Sequence, residues 1–518
     1  MGNSMGRSES KWKFRRSCEP VMRLWRPKPR IGKGLAIGGA VLLALIVAGL
    51  ILLHHFWPFT EEAVKRELGD AASAKVSFTK FHDRYFPPGC VAEGAVFHRN
   101  AGGEPFITIR RLTIRSNFFD LLHHHISLIR AEGAQVNWQK ADNTADPPSR
   151  PTVVDRLVAD DAVLDIPRKS SDGPLRFVFH KFEVNNLQGP GQSSFAANLE
   201  NPLPHGMLKV SGHFGPWNNS APKKTALDGN YDLDQADLGV FHSVGGLVSS
   251  KGRFSGTFEN LDVQGQTSTP QLTVTSTHHG LPLHTDFVAK VNGAAGDVIL
   301  PRVKAQFGKD ELDLHGSIAR DKTGKRVASF EIECVRGRIE DTFYPFIHSP
   351  KAALTGDVKF RMHVTIPPGK EKFDEKIGLA STFDISNARF THEKTQMDLS
   401  KIAEAPDQKR PNPLAPASLR GQVVVEDGTA HFSQLRIEDQ DASADFHGTF
   451  GLVDERVNLH GDLKTAASLT KATHGIKSVF AKVLEPFFKK RPHVTVVPVK
   501  IGGTYGHPQF GLDLSKKM

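Results

Sequence analysis

Phe446-His447-Gly448-Thr449-Phe450 and, a little further on, Leu459-His460-Gly461-Asp462-Leu463 repeat one local pattern: apolar, any residue, glycine, any residue, apolar. Side chains of a strand alternate between faces, so each copy sets two apolar residues and a glycine on one face. The pattern also occurs at 210–214, 227–231, 254–258, 314–318, 354–358, 419–423 and 501–505. Those copies place Gly212, Gly229, Gly256, Gly316, Gly356, Gly421 and Gly503 beside Gly448 and Gly461. A glycine weakens a strand unless it permits a bend, a bulge or a close approach. The repetition predicts one architectural device, glycines on the face of a groove. The plainer reading is that glycine marks strand ends in a glycine-rich β protein. Irregular spacing excludes a strict solenoid repeat.

Composition agrees with strands and turns: 46 Gly, and 34 Phe against 4 Tyr. Thr60, Glu61, Glu62 and Gly69 predict a short helix over 61–68. Lys75–Phe81 alternates as a strand. So does 106–115, with Phe106, Thr108 and Arg110 on one face and Ile107 and Ile109 on the other. Asn117–His124 reads as a helical turn, followed by strand through Ile126, Leu128 and Ile129 and from Ala134 to Gln139. Loops are expected at 146–151, 367–372 and 404–416. Late in the chain Leu469, Ala472, Ile476, Val479, Phe480, Val483 and Leu484 fall at three- and four-residue intervals. They predict an amphipathic helix over about 468–485, ended or kinked by Pro486.

One run fixes topology. Gly34 to Leu53, including Leu42 and Leu45, holds no charge. At about 1.5 Å per residue it reaches about 30 Å, the thickness of a bilayer core. The 33 residues before it carry ten Lys/Arg against Glu9 and Glu19, so they hold +8 of the total +10. The positive-inside rule keeps this tail cytoplasmic and exports the rest. A cleaved signal peptide is the alternative. The run is long for one, and no small-residue cleavage site follows. His54 to Phe59 follows instead, with Phe56 and Trp57 as an interfacial aromatic anchor. Without the tail the net charge is near zero, which removes nucleic acid as a partner.

The expected domains are a basic cytoplasmic tail (1–33), a transmembrane helix (34–53) and an N-terminal exported region (54–150). A β-rich groove region (151–403), a proline-rich loop (404–416) and a C-terminal β region with its helix (417–518) complete the chain. Cys18 is cytoplasmic in this topology. Cys90 and Cys334 either pair or sit as two separate buried thiols.

The chemistry-bearing residues read as ordinary. His123–His125 beside Asp120, and His278, His279 and His284, lack metal-ligand spacing. Asp160, Asp161 and Asp165 read as strand-edge charges. Gly102-Gly103 and Gly245-Gly246 read as turns, and Phe177, Phe179 and Phe182 as core. No Walker loop, GxSxG or kinase set occurs, so no catalytic residue, cofactor site or metal site is expected.

The order of short motifs carries a resemblance. After the membrane run come Arg84-Tyr85-Phe86-Pro87-Pro88-Gly89-Cys90, then Phe119-Asp120-Leu121-Leu122 and Ile129 to Val136. Gly293 to Val298 follows, and the chain closes on Val494 to Thr504 and Pro508 to Leu512. This resembles the AsmA-like family of bacterial envelope proteins, relatives of the TamB-type proteins. The resemblance implies a Gram-negative inner-membrane anchor and a periplasmic body. It implies an elongated, curved, antiparallel-rich β-sheet groove with a few short helices. It also implies phospholipid movement towards the outer membrane or support of outer-membrane assembly, with inner-membrane lipid and an envelope protein as partners. It transfers no residue roles. The alternative is a non-enzymatic periplasmic scaffold for outer-membrane protein assembly that conducts no lipid. At roughly 12 residues per strand and turn, the exported part would hold about 35–40 strands stacked over about 170–190 Å.

Overall fold

The computed structural model describes residues 57–513 except 100–102, 124, 139–151, 168–172, 189–190, 219–220, 242–243, 275–276, 294, 348–351, 353, 370, 391–416, 439–441 and 466–495. The anchor residues Gly34, Leu42, Leu45, Leu53 and Phe56 lie outside this set, as do the 404–416 loop and the helix expected over 468–485. Among the described residues no helix is long and apolar enough to cross a membrane. The chain divides after Thr60 into two units. In the first, Trp57 and Phe59 are buried and meet edge to face at 5.8 Å.

The second unit is mainly β, as expected, and its strands form one sheet. Helix α1 (Glu61–Ala72) precedes β1 (Lys75–Ser77) and β2 (Lys80–Tyr85), which share one edge of β3 (Pro88–His98). Next come β4 (Ile107–Arg115), the short helix α2 (Phe118–Leu122), β5 (His125–Ile126), β6 (Leu128–Asn137) and β7 (Val153–Ile166). β8 (Leu175–Leu187), β9 (Ser193–Pro202), β10 (His205–Phe214), β11 (Ala226–Asp237), β12 (Val244–Gly245) and β13 (Leu247–Thr257) follow. The middle is β14 (Asn260–Val274), β15 (Gly280–Asn292), β16 (Asp297–Phe307), β17 (Asp310–Arg320) and β18 (Arg326–Arg338). Helix α3 (Ile339–Phe343) leads to β19 (Leu354–Ile366), and α4 (Phe373–Lys376) to β20 (Gly378–Phe390). The sheet ends with β21 (Ala417–Glu426), β22 (Thr429–Glu438), β23 (Ala442–Gly451), β24 (Val457–Thr465), β25 (Val496–Thr504) and β26 (His507–Leu512).

Neighbouring strands pair antiparallel with one exception: β5 and β6 run parallel to β7. Because β1 and β2 share an edge, β5 continues β6 and β12 continues β13, the strands fill about twenty-three positions. At about 4.8 Å each, the sheet measures about 105 Å from strand to strand. This corrects the expected 35–40 strands. The strands are long, 15 residues in β14 and 14 in β7, so the described residues form fewer of them. Among the described residues nothing pairs β26 with β1 or β2, and the sheet is open.

Two local expectations change. α1 runs past Gly69 to Ala72. Gly69 is inside the helix because the returning chain crowds it: a β-carbon there would lie 2.7 Å from the Ala74 carbonyl oxygen. In β4 the expected alternation fails, since Arg110 and Arg111 are both exposed while Leu112, Thr113 and Ile114 are all buried. Arg110 is flanked in register by Gly94 and Gly133, whose φ values of 61° and 64° break the pleat.

The sheet coils, and three consecutive residues show it. The turn after β14 touches the segment after α3: the Thr277 hydroxyl donates to the Pro345 carbonyl, and the His279 ring stacks on Tyr344 at 4.5 Å. The next residue, Phe346, stacks on Phe373 at 6.1 Å. Register puts Thr277 and Phe373 at opposite strand ends, five strands apart. In a flat sheet they would be separated by about 24 Å across and about 40 Å along the strands. Tyr344 to Phe346 spans only about 8 Å. The sheet must curve to bring both ends to them.

Candidate functional site

Side chains directly opposite across paired strands share a face, so the register can be followed from strand to strand. One line crosses every position of the sheet. It begins at Phe81 and passes Ala92, Leu112, Ala131, Ala159, Phe182 and Ala197. It continues through Val210, Tyr231, Gly252, Gly265, Phe287, Val303 and Leu314. It ends with Ile332, Met362, Ser381, Val423, Phe432, Gly448, Leu459, Ile501 and Phe510. Ser381 is the one hydroxyl residue besides Tyr231, and no member is charged. None is exposed to solvent; most are half-buried.

The line one residue away carries the opposite character. Lys80, Glu93, Arg111, Glu132, Asp160 and Lys181 open it, and every further member as far as Gln434 is charged, an amide or a threonine. Partners across it pair: Lys251 with Asp232 at 3.0 Å, Gln266 with Asp286 at 2.7 Å, and Arg361 with Glu333 at 2.8 Å. These exposed pairs hold little energy each. What they do is keep this face wet and fix which face is not.

Six of the nine pattern glycines lie mid-strand on the apolar face: Gly212, Gly229, Gly316, Gly421, Gly448 and Gly461. The other three serve strand ends and irregularities, as the plainer reading has it. Gly256 has a φ of 125° at the turn into β14, Gly503 has a φ of 84° at the turn into β26, and Gly356 sits at a bulge between β19 and β20. The space above four of the mid-strand glycines is taken up by neighbouring rings. A β-carbon on Gly229, Gly316, Gly421 or Gly461 would lie 2.7 Å from the ring of Phe254, Phe330, Phe383 or Phe446 respectively. Each ring lies across its glycine from the neighbouring strand, an arrangement that lets an aromatic shield bare backbone. Gly212 and Gly229 face each other directly, which lets the strands approach closely.

Gly252 and Gly265 join the line but escape the sequence pattern. Each lacks an apolar residue on one side, with Ser250 and Thr267 in those places. Tyr231 covers both. Its hydroxyl meets Ser250 at 3.1 Å, and Thr267 meets Thr285 at 2.7 Å. The apolar face thus has a short hydroxyl-rich strip at its middle.

Towards the C-terminal end the face is dry. Val358, Phe446, Leu463, Val497 and Val499 are almost wholly buried in one cluster running from β18 to β25. Cys334 belongs to it. Cys90 and Cys334 are both free and buried, on β3 and β18, so they are two separate thiols. Burial pushes each thiol up to about 12, helped by Asp83 at Cys90 and Asp310 at Cys334.

At the start of β17, beside α3, Asp310 is fully buried. It accepts from the Arg338 amide at 2.7 Å and the Thr342 hydroxyl at 2.5 Å. Burial raises its carboxyl above the usual range against those two bonds, with Asp341 and Glu340 adding to the rise. Arg338 clasps Glu340, whose other oxygen accepts from the Gly356 amide at 3.1 Å. This network holds α3, and with it Tyr344 to Phe346, against the sheet.

The histidines and acids take local roles. His123 meets the Phe119 carbonyl at 2.9 Å, and His125 meets Asp155 at 3.4 Å. Asp120 accepts from Asn117, the N-cap of α2, and from Ser127. Asp165 takes both arms of Arg176 at 2.9 Å, which lowers its carboxyl. Among the described residues no cluster of His, Cys, Asp and Glu has the makings of a metal site. What the arrangement offers is surface: one half-shielded line without a charged member, on a sheet whose other face carries a charged and amide line beside it. No known protein family matches the chain, and no curated protein is similar to it.

Proposed function

We propose that this protein shields lipid acyl chains along the apolar face of its sheet and supports phospholipid transport to, and assembly of, a bacterial outer membrane. The line from Phe81 to Phe510 carries the reading. Each CH₂ group exposed to water costs about 0.8 kcal/mol, so a lipid leaving a bilayer needs continuous apolar cover. A line without a charged member across the whole sheet provides it. The described strands all belong to one open sheet, along which this face continues from β2 to β26. The resemblance to AsmA-like proteins supports the same reading. So does the uncharged run Gly34–Leu53 behind its basic tail, which would hold the body on the periplasmic side of the inner membrane.

A sheet of about 105 Å makes the body a partial bridge that needs an envelope partner, or a shuttle. The test is to purify the full chain, extract it and identify bound lipid by mass spectrometry. Phospholipid in reproducible stoichiometry, beyond that carried by an unrelated single-pass protein in the same detergent, is expected. Its absence would overturn lipid shielding and leave the scaffold reading.

A further inference from the structure

The two most exposed aromatic side chains of the described residues lie in loops at the same end of the sheet. Phe86 is 89 % exposed, in the turn from β2 to β3, and Phe119 is 79 % exposed, on α2. Their loops leave adjacent strands: the Ser116 amide, just before α2, donates to the Pro88 carbonyl at 2.8 Å, just after the turn. Water-facing phenylalanines at this density mark a contact surface.

Charge beside them identifies the occupant. Arg84 and Arg115 both lie opposite Gly89, one on each neighbouring strand, so they share a face across a residue without a side chain. Both are exposed. Two arginines whose backbones stand two strand spacings, about 10 Å, apart across a bare glycine fit phosphate groups at a surface. The nearby acids are otherwise engaged or turned away. Asp120 is bonded to Asn117 and Ser127, Asp155 meets His125, and Asp83 lies on the opposite face from Arg84.

Chain length brings a bilayer within reach. Seven residues, 54–60, separate the uncharged run from α1 and span at most about 25 Å. α1 packs beside the start of β2, with Lys65 over the Phe78 ring at 5.7 Å and Phe78 stacked on Phe81 at 5.6 Å. From there β2 runs about 20 Å to the turn holding Phe86. The apolar line itself begins at Phe81, on that strand.

We propose that the Phe86 and Phe119 loops are a second membrane contact, seating their rings at the interface of a phospholipid bilayer while Arg84 and Arg115 bind headgroup phosphates. Aromatic residues favour that depth. The contact would set the open start of the apolar line against the bilayer, and in this it rests on the lipid-shielding reading.

The test uses the full chain with Cys18→Ser and Phe119→Cys, labelled with an environment-sensitive dye; the two buried thiols stay unlabelled. The chain is reconstituted into vesicles of phosphatidylethanolamine and phosphatidylglycerol containing headgroup spin-labelled lipid. A control carries the dye at Ser255→Cys on the polar face. The dye at 119 is expected to be quenched at least twofold more than at 255, and Arg84→Gln with Arg115→Gln is expected to reduce that quenching at least twofold. Equal quenching at both positions, including a chain that stays off the bilayer, overturns the contact. Quenching that ignores the arginine changes overturns the phosphate assignment. Lipid co-purification is read separately, so the contact and the shielding role fail independently.

Discussion

The ring of Phe446 lies across Gly461 on the neighbouring strand, its Cδ1 2.7 Å from where a β-carbon would stand. The Asp445 carbonyl is closer still, at 2.2 Å from the same point. The glycine is therefore fixed by backbone as well as by the ring. Gly461→Ala should cost about 1–3 kcal/mol through overpacking, read from the urea midpoint. Gly506→Ala, where nothing lies within 4 Å, should leave the midpoint unchanged. Equal effects would remove the ring-over-glycine account.

Leu314 sits near the middle of the apolar line and is half-buried. Leu314→Glu puts a carboxylate where an acyl chain would lie, while its partial exposure lets the charge reach water. Bound phospholipid should fall severalfold with far-ultraviolet circular dichroism unchanged. Asp313→Gln, one residue away on the wet face, should leave bound lipid at the wild-type level. A Leu314→Glu chain that carries the wild-type amount of lipid would sink the shielding reading.

Asp310 predicts a pH dependence with a definite sign. Its folded carboxyl titrates above its unfolded value because it is buried. The folded state then holds the proton more tightly, so the contribution of this group is greatest at low pH and declines as pH rises from about 4 through the raised value. Asp310→Asn keeps a carbonyl acceptor and loses the titration. Relative to wild type it should therefore gain stability between pH 4 and pH 7, measured by urea unfolding at each pH. A difference that does not vary with pH would refute the assignment.

Cys90 and Cys334 should resist alkylation in the native chain at pH 8, because each is buried and its thiol is pushed up to about 12. Both should react fully in guanidinium. Site-resolved mass spectrometry separates them. A disulfide between them in protein from an oxidising compartment would contradict their separate places on β3 and β18.

Much of this sheet was legible in the sequence because period-two alternation is a local property. Leu208, Val210, Gly212 and Phe214 turn to one face of β10, while Lys209, Ser211 and His213 stay exposed. The α2 helix announced itself through Asn117, whose side chain accepts from the Asp120 amide at 2.8 Å. Non-local features were not legible. The parallel pairing of β6 with β7 depends on how a long connection travels. Gly252 and Gly265 are explained by Tyr231, a ring on other strands in register with them. The contacts of Tyr344 to Phe346 come from curvature accumulated over several strands. Gly69 looked like a helix end because its real reason, the crowding by Ala74, lies in the returning chain.

Each strand position contributes one residue to the line from Phe81 to Phe510, and this makes the sheet additive. Removing any antiparallel hairpin would shorten it by about 10 Å and leave the flanking residues able to meet in register. Removing a single strand would reverse the chain and leave its neighbours running the same way. Among the described residues the place already so arranged is β5 and β6 against β7. Reach can therefore change in steps of two strands wherever the rings and glycines of the newly joined strands still match. Length is the quantity this architecture leaves freest to vary.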